Sequence, residues 1–260
     1  MTQNDKLLYL IKYLQNEDPR YSSIKIPDSE TDRFDLYRSL VNIRPAGKAA
    51  EEYLNTEDAY LKEVSKEKGI VDIGDLKCVY KNIYLWQGDI TRLRCGAIVN
   101  AANSGMTGCY QPCHNCIDNC IHTFAGTRLR YKCSQLMQEQ GHEEPTGRAK
   151  LTPAYNLPCD NVIHTVGPIV RSKLTKEHCD QLESSYRSCL ELAAANGIGS
   201  IAFCCISTGV FGFPQQEAAR IAVRTVKEFQ KQHDIEVIFN VFKDEDLRIY
   251  RELLGADQMP

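Results

Sequence analysis

From Cys78 onward, short apolar runs bounded by turn residues alternate with longer stretches whose apolar residues recur at helical spacing. That alternation leaves few architectures open. The runs Cys78 to Tyr80, Ile83 to Gln87, Ala97 to Asn100, Lys150 to Ala154, Asn161 to Val166, Ser200 to Ile206 and Glu236 to Phe242 read as strands. The stretches Ile117 to Gln140, Lys176 to Asn196, Pro214 to His233 and Asp244 to Leu254 read as helices. Strands and helices in this order need a sheet covered on both faces, an α/β fold whose ligands sit at the carboxyl ends of the strands.

The first part of the chain has a different rhythm. Leu7, Leu8, Leu10, Ile11 and Leu14 repeat at helical spacing, as do Phe34, Leu36, Tyr37, Leu40 and Val41. Residues 48 to 67 suggest a third helix, with Gly69 suited to its C-cap. Residues 1-74 are therefore expected to form a helical N-terminal extension that caps a main domain at 75-260. A chain of 260 residues has room for both.

A formal net charge of -3 provides no field that would gather nucleic acid or anionic lipid. The N-terminus lacks the basic region, apolar core and small-residue cleavage site of a secretory signal, and no apolar run approaches membrane-spanning length. A cytoplasmic monomer that binds neither nucleic acid nor membrane is expected. Most of the twelve cysteines, including the adjacent Cys204 and Cys205, are then expected to be reduced and buried.

The segment Gly108 to His122 stands apart. It packs Cys109, Cys113, Cys116 and Cys120 with His114, His122 and Asp118 into one short stretch after the turn-like Asn100 to Gly105. That is a candidate metal site where an α/β fold binds ligands. Two other strand ends carry useful chemistry. Asp89 follows Leu85-Trp-Gln-Gly, where a carboxylate can accept from an amine, and Ser207 to Pro214 joins an apolar run to a helix start. Glycines and unpaired N–H groups at such a junction make a phosphate cradle. His122, four residues after Asp118, can share its helix face; His164 reads as a core histidine, and Arg128 and Arg130 as a solvated helix face.

Taken in order, Gln87-Gly-Asp-Ile-Thr91, Ile98-Val-Asn-Ala-Ala-Asn-Ser104, Val162-Ile-His-Thr-Val-Gly-Pro168 and Ser207-Thr-Gly-Val-Phe-Gly-Phe-Pro214 resemble the motifs of macrodomains, the ADP-ribose-binding α/β modules. Ile117-Asp-Asn-Cys-Ile-His122 is similar to a segment of the MacroD-type hydrolases. Where that type has a run of glycines, this chain has Cys109 to Cys116, a departure that looks like the zinc-containing macrodomains, which remove ADP-ribose from proteins.

The resemblance implies a central mixed sheet sandwiched by helices and a set of roles. Asp89, with the backbone of Ile90, would hold adenine, and Phe242 would stack on it. Ser207, Thr208, Gly209, Val210, Phe211, Gly212 and Phe213 would surround the diphosphate and distal ribose, and Asn103 would bond that ribose, with Asn100 bracing the turn. Cys109, His114 and Cys116 would bind Zn2+, with Cys113 or Cys120 as a candidate fourth ligand that would close the site. Asp118, with Asn103, would be catalytic. The implied reaction is hydrolysis of mono-ADP-ribose from modified proteins, at an ester to Asp or Glu. The alternatives are a module that reads ADP-ribose without cutting it, a deacetylase of O-acetyl-ADP-ribose, and a structural zinc protein.

Overall fold

The structure is a computed structural model that describes residues 1–255. At the N-terminus lie α1 (Gln3–Glu17), α2 (Glu30–Ile43) and α3 (Glu51–Glu67). Thr2 caps α1 by accepting from Asp5 N, and Ser29 caps α2 by accepting from Asp32 N, so each start has the side-chain acceptor that helix N-termini require. Their apolar stripes close on one another, with Leu7, Leu10, Ile11, Tyr37, Leu40, Tyr53 and Leu61 in a cluster separate from the main core. Gly69, at φ 79°, ends the third helix as the sequence suggests.

A short strand β1 (Val71–Asp72) leads into the main body. There follow β2 (Cys78–Tyr80), β3 (Ile83–Gln87), β4 (Leu93–Arg94), β5 (Ala97–Ala101), α4 (Ile117–Ala125), α5 (Thr127–Gln140), β6 (Ala149–Pro153), β7 (Asn161–Thr165), α6 (Lys176–Ala195), β8 (Ser200–Phe203), α7 (Gln215–Phe229), β9 (Glu236–Val241) and α8 (Asp244–Leu254). Seven strands form one sheet in the order β2-β3-β9-β8-β5-β7-β6, while β1 pairs only with β4. The strands from β3 to β7 run parallel, and β2 and β6 are antiparallel edges, so the sheet is mixed. Helices α6, α7 and α8 pack side by side in that order, and α4 and α5 pack against β5 and β6.

Parallel pairing has a functional consequence. The segments after Gln87, Ala101, Thr165, Phe203 and Val241 all leave the same edge of the sheet, which gathers the motif residues.

Several element boundaries differ from the sequence reading, among them the helix read to His233, which ends at Phe229. The stretch 117–140 is two helices, broken at Gly126 with φ 91°; a Cβ there would meet Glu57 Oε2 at 2.9 Å and Asn156 Nδ2 at 3.0 Å. The strand predicted to reach Ile206 ends at Phe203, although Cys204 and Ile206 remain buried. Apolarity there reports burial rather than pairing.

The N-terminal helices are pinned to this body by polar contacts. Glu57 is fully buried and accepts from the hydroxyls of Tyr37 and Tyr53 (both 2.9 Å) and from Thr127 N and Oγ1 (both 2.8 Å). Arg130, expected in solvent, is instead 5 % exposed: it reaches across to donate to the carbonyls of Val41, Asn42 and Arg44, which α2 leaves unpaired at its C-terminal end. Arg128 is half-buried and faces Asp58. No cysteine is in a disulfide, but fewer are buried than expected: Cys95, Cys133, Cys159, Cys189 and Cys204 are buried, Cys78 is exposed, and the rest are intermediate. No helix among the described residues is long and apolar enough to cross a membrane.

Candidate active site

At the end of β5 the chain turns through Asn103, whose Oδ1 accepts from Gly105 N at 3.0 Å. Its Nδ2 donates to Gly108 O at 3.2 Å and Asp118 Oδ2 at 3.3 Å, tying this turn to the Cys/His loop and the start of α4. Cys116 is the N-cap of α4, with its sulfur accepting from Asn119 N. Sequence reasoning missed Asn119, which organises the loop: its Nδ2 donates to Gln111 O at 3.0 Å and Cys109 O at 3.4 Å.

Cys109, His114 and Cys116 meet on this loop, with their ligand atoms all within 4.8 Å of one another. Cys113 and Cys120 are not in this group and are engaged elsewhere. Cys113, at φ 51°, donates its thiol to Asp35 O and its amide to Asn42 Oδ1, and Cys120 Sγ accepts from Arg38 Nη2. The same guanidinium donates to His114 O at 2.8 Å, so α2 braces the loop from outside. Burial pushes the Cys116 thiol up to about 12, so without a cation beside it the sulfur stays protonated at neutral pH.

Asp118 is 5 % exposed, and burial raises its carboxyl to about 6 against the opposing pull of Asn100, Arg130 and Asn103. A carboxyl at that value is largely ionised at neutral pH yet still basic enough to take a proton. His122 Nε2 lies 3.5 Å from Asp118 Oδ1 without hydrogen-bond geometry, and burial holds this ring neutral by lowering its pKa well below the usual histidine range. A second group of donors, His122, Cys133 and His164, also lies within 4.8 Å. Both His164 nitrogens are already engaged, by Asn100 at 3.1 Å and Thr152 at 2.9 Å, so His164 is a satisfied core histidine rather than a free ligand.

The strand ends of β3 and β9 lie side by side, with Gln87 in register with Val241, which brings Asp89 and Phe242 to the same edge. Phe242 is 76 % exposed, unusual for so large a ring and available for stacking. Asp89 Oδ1 accepts from Thr91 N and Oγ1, and Oδ2 faces Lys68 Nζ at 2.7 Å. Burial would raise this carboxyl, but the hydrogen bonds of Lys68 and Thr91 outweigh it and hold it below the ordinary carboxylate value. The Ile90 side chain is buried, and its backbone stands at the first position of a short helical turn.

Between these two regions runs the loop 207–213. Ser207 and Gly212 both have positive φ, 66° and 70°, and Val170 N donates to Phe211 O at 2.8 Å to hold the loop's outer arm. The amides of Gly212 and Phe213 are used internally, by Gly209 O and Ser207 O. Those of Gly209, Val210 and Phe211 have no acceptor among the described residues, which leaves three successive donors for an anion. Thr208 turns its hydroxyl back to Cys205 O. Phe213 is 2 % exposed and packs in the main core, so it forms the floor of this region rather than an open face.

A mixed sheet with these motifs at the carboxyl edge of its parallel strands defines a class, and residues 99–222 match the family described as Macro domain. The chain belongs to the macrodomain family. Over 261 residues it is 54% identical to a protein of Treponema medium named protein-ADP-ribose hydrolase, with 98% of this chain and 100% of the relative covered. A Staphylococcus aureus (strain MSSA476) protein of the same name is 46% identical over 256 residues, covering 97% and 96%. Among solved structures, a Trypanosoma brucei macrodomain in complex with ADP-ribose aligns at a TM-score of 0.64 and 30% identity, covering 88% of this chain and 97% of that one. The Oceanobacillus iheyensis macrodomain with ADP aligns at 0.63 and 35%, covering 69% and 94%.

Proposed function

We propose that this protein is a protein-ADP-ribose hydrolase that releases mono-ADP-ribose from modified side chains, using zinc held by Cys109, His114 and Cys116 and Asp118 as general base. The observation that carries this reading is the junction of the sulfur and nitrogen donors with Asp118: Asn103 touches both the loop, at Gly108, and the carboxylate. A module that only reads ADP-ribose has no use for that junction.

The donor set fits zinc. Tetrahedral zinc with its usual bond lengths separates a sulfur and a nitrogen ligand by roughly 3.6 Å. Cys109 Sγ and His114 Nδ1 lie 3.6 Å apart. Three ligands, with Cys113 and Cys120 engaged elsewhere, favour a site open to substrate over a closed structural one. Bound there, zinc would supply Lewis acidity to a substrate oxygen or lower the pKa of a water.

The protein's own groups do the rest. The amides of Gly209, Val210 and Phe211 receive the diphosphate without needing a basic side chain, Asp89 accepts from the adenine amine, and Phe242 stacks on the base. Asn103 orients the distal ribose, and Asp118 takes a proton from the attacking water. For an ester to Asp or Glu, one water is consumed, and the side-chain carboxyl and free ADP-ribose are returned. The test is to incubate the purified, zinc-quantified protein with Glu-linked, Ser-linked and Arg-linked mono-ADP-ribosylated proteins and measure ADP-ribose released. Release from the Glu-linked substrate is expected; release from none, with ADP-ribose still bound tightly, would leave a reader module.

A further inference from the structure

The N-terminal helices reach the adenine end of the site through one side chain. Lys68 caps the C-terminus of α3, and the chain beyond it is fastened to the segment after β3: Gly69 O accepts from Arg92 Nε at 2.6 Å, and β1 pairs with β4 in parallel. From this anchored backbone Lys68 Nζ contacts Asp89 Oδ2 at 2.7 Å and Thr91 Oγ1 at 3.0 Å, and lies 3.5 Å from the centroid of the Phe124 ring. Asp89 and Thr91 take two of the three ammonium protons, and the Phe124 ring lies against the group. Its bearing on a bound base runs through Asp89.

A carboxylate offers about four lone-pair directions. At Asp89, Thr91 N and Thr91 Oγ1 take two on Oδ1, and Lys68 takes one on Oδ2. One direction remains. An amine has a proton to place there; a carbonyl at the same position of a purine has none, and would meet a carboxylate oxygen. The lysine charge also offsets a carboxylate that would otherwise stand near an anionic diphosphate.

We propose that Lys68 is a positioning residue for base recognition: it fixes Asp89 so that its one free acceptor direction reads the 6-amino group of adenine, which makes base selectivity depend on the N-terminal helices. The proposal rests on Asp89 being the adenine-reading carboxylate. The two ideas separate experimentally.

The experiment measures Kd, in the full-length protein, for ADP-ribose and for its hypoxanthine counterpart, in the wild type and in Lys68→Met, Lys68→Arg and Asp89→Asn, with KM and kcat on a mono-ADP-ribosylated protein alongside. The wild type should prefer adenine about tenfold or more. Lys68→Met should lose most of that preference and raise KM about tenfold with kcat within about twofold, and Lys68→Arg should restore both. If Lys68→Met is too unstable to assay, Lys68→Gln, which loses the charge and reaches one atom less far, takes its place with the same expectation. A Lys68→Met protein that melts earlier but keeps its base preference would show a purely structural lysine and overturn the proposal, as would equal weakening of both nucleotides. Unchanged base preference in Asp89→Asn would instead remove the underlying assignment of Asp89.

Discussion

Asn100, the penultimate residue of β5, donates from one amide nitrogen to Asp118 Oδ1 at 2.8 Å and to His164 Nδ1 at 3.1 Å. Fully buried, it aims the carboxylate on which the proposed chemistry depends. It therefore does more than brace the turn. A hydrogen bond to a charged group contributes about 1.5–3 kcal/mol, equivalent to roughly 10–100-fold in rate if it matters mainly in the transition state. Asn100→Ala is expected to lower kcat by about that factor while ADP-ribose affinity, measured by calorimetry, stays within about threefold.

His164 sets an acid limit on stability. Burial depresses its pKa from 6.5 to about 3, so between those values the unfolded chain binds a proton that the folded one refuses. The contribution is fully present above about pH 6.5 and is lost as the pH falls toward 3, and His122, shifted the same way by burial, adds to the slope. Denaturant unfolding at a series of pH values should show His164→Gln with a flatter decline over this window than the wild type.

Gly212 tests the phosphate loop. Its φ is +70°, and a Cβ there would lie 2.7 Å from Val170 O, a backbone atom that cannot swing aside. Left-handed backbone costs a non-glycine residue about 1–2 kcal/mol before any clash is counted. Gly212→Ala should weaken ADP-ribose binding at least about tenfold and lower the melting temperature by roughly a few degrees; unaltered affinity would remove the loop from the binding site.

Glu57 should be the most sensitive point of the junction between the N-terminal helices and the body. Truncation to Ala strands the hydroxyls of Tyr37 and Tyr53 and the amide of Thr127, all buried donors, at a cost on the order of 3 kcal/mol or more. Glu57→Gln, which can still accept from Thr127 while the tyrosines turn their hydroxyls, should cost less. Chemical denaturation of the two variants gives the comparison directly.

How much of this was legible in the sequence follows from what kind of interaction each feature uses. The strands and helices were readable because periodicity reports burial, and the gathering of Asp89, Asn103, Asp118 and the 207–213 loop followed from motif order on a parallel sheet. Gly126 was not read as a break because the apolar pattern runs through it; only the proximity of Glu57, far away in sequence, shows why glycine is needed there. Arg130 looked like a surface residue because nothing local reveals that carbonyls from α2 await it. The same holds for Cys113 and Cys120. Their spacing suits metal ligation, and their engagement by Asp35, Asn42 and Arg38 depends on where the N-terminal helices dock. Lys68 sits among many charged residues of α3, and its pairing with Asp89 has no local signature.

The proposed chemistry places a catalytic zinc on the Cys/His loop beside Asp118. The most direct measurement compares zinc content with hydrolysis of a Glu-linked substrate in wild type, Cys116→Ala and Asp118→Ala. One zinc per wild-type chain is expected, with loss of both zinc and turnover in Cys116→Ala while ADP-ribose binding is partly kept, and retained zinc with turnover slowed about 100-fold or more in Asp118→Ala. Wild-type turnover in a Cys116→Ala protein verified to be free of metal would contradict a catalytic zinc.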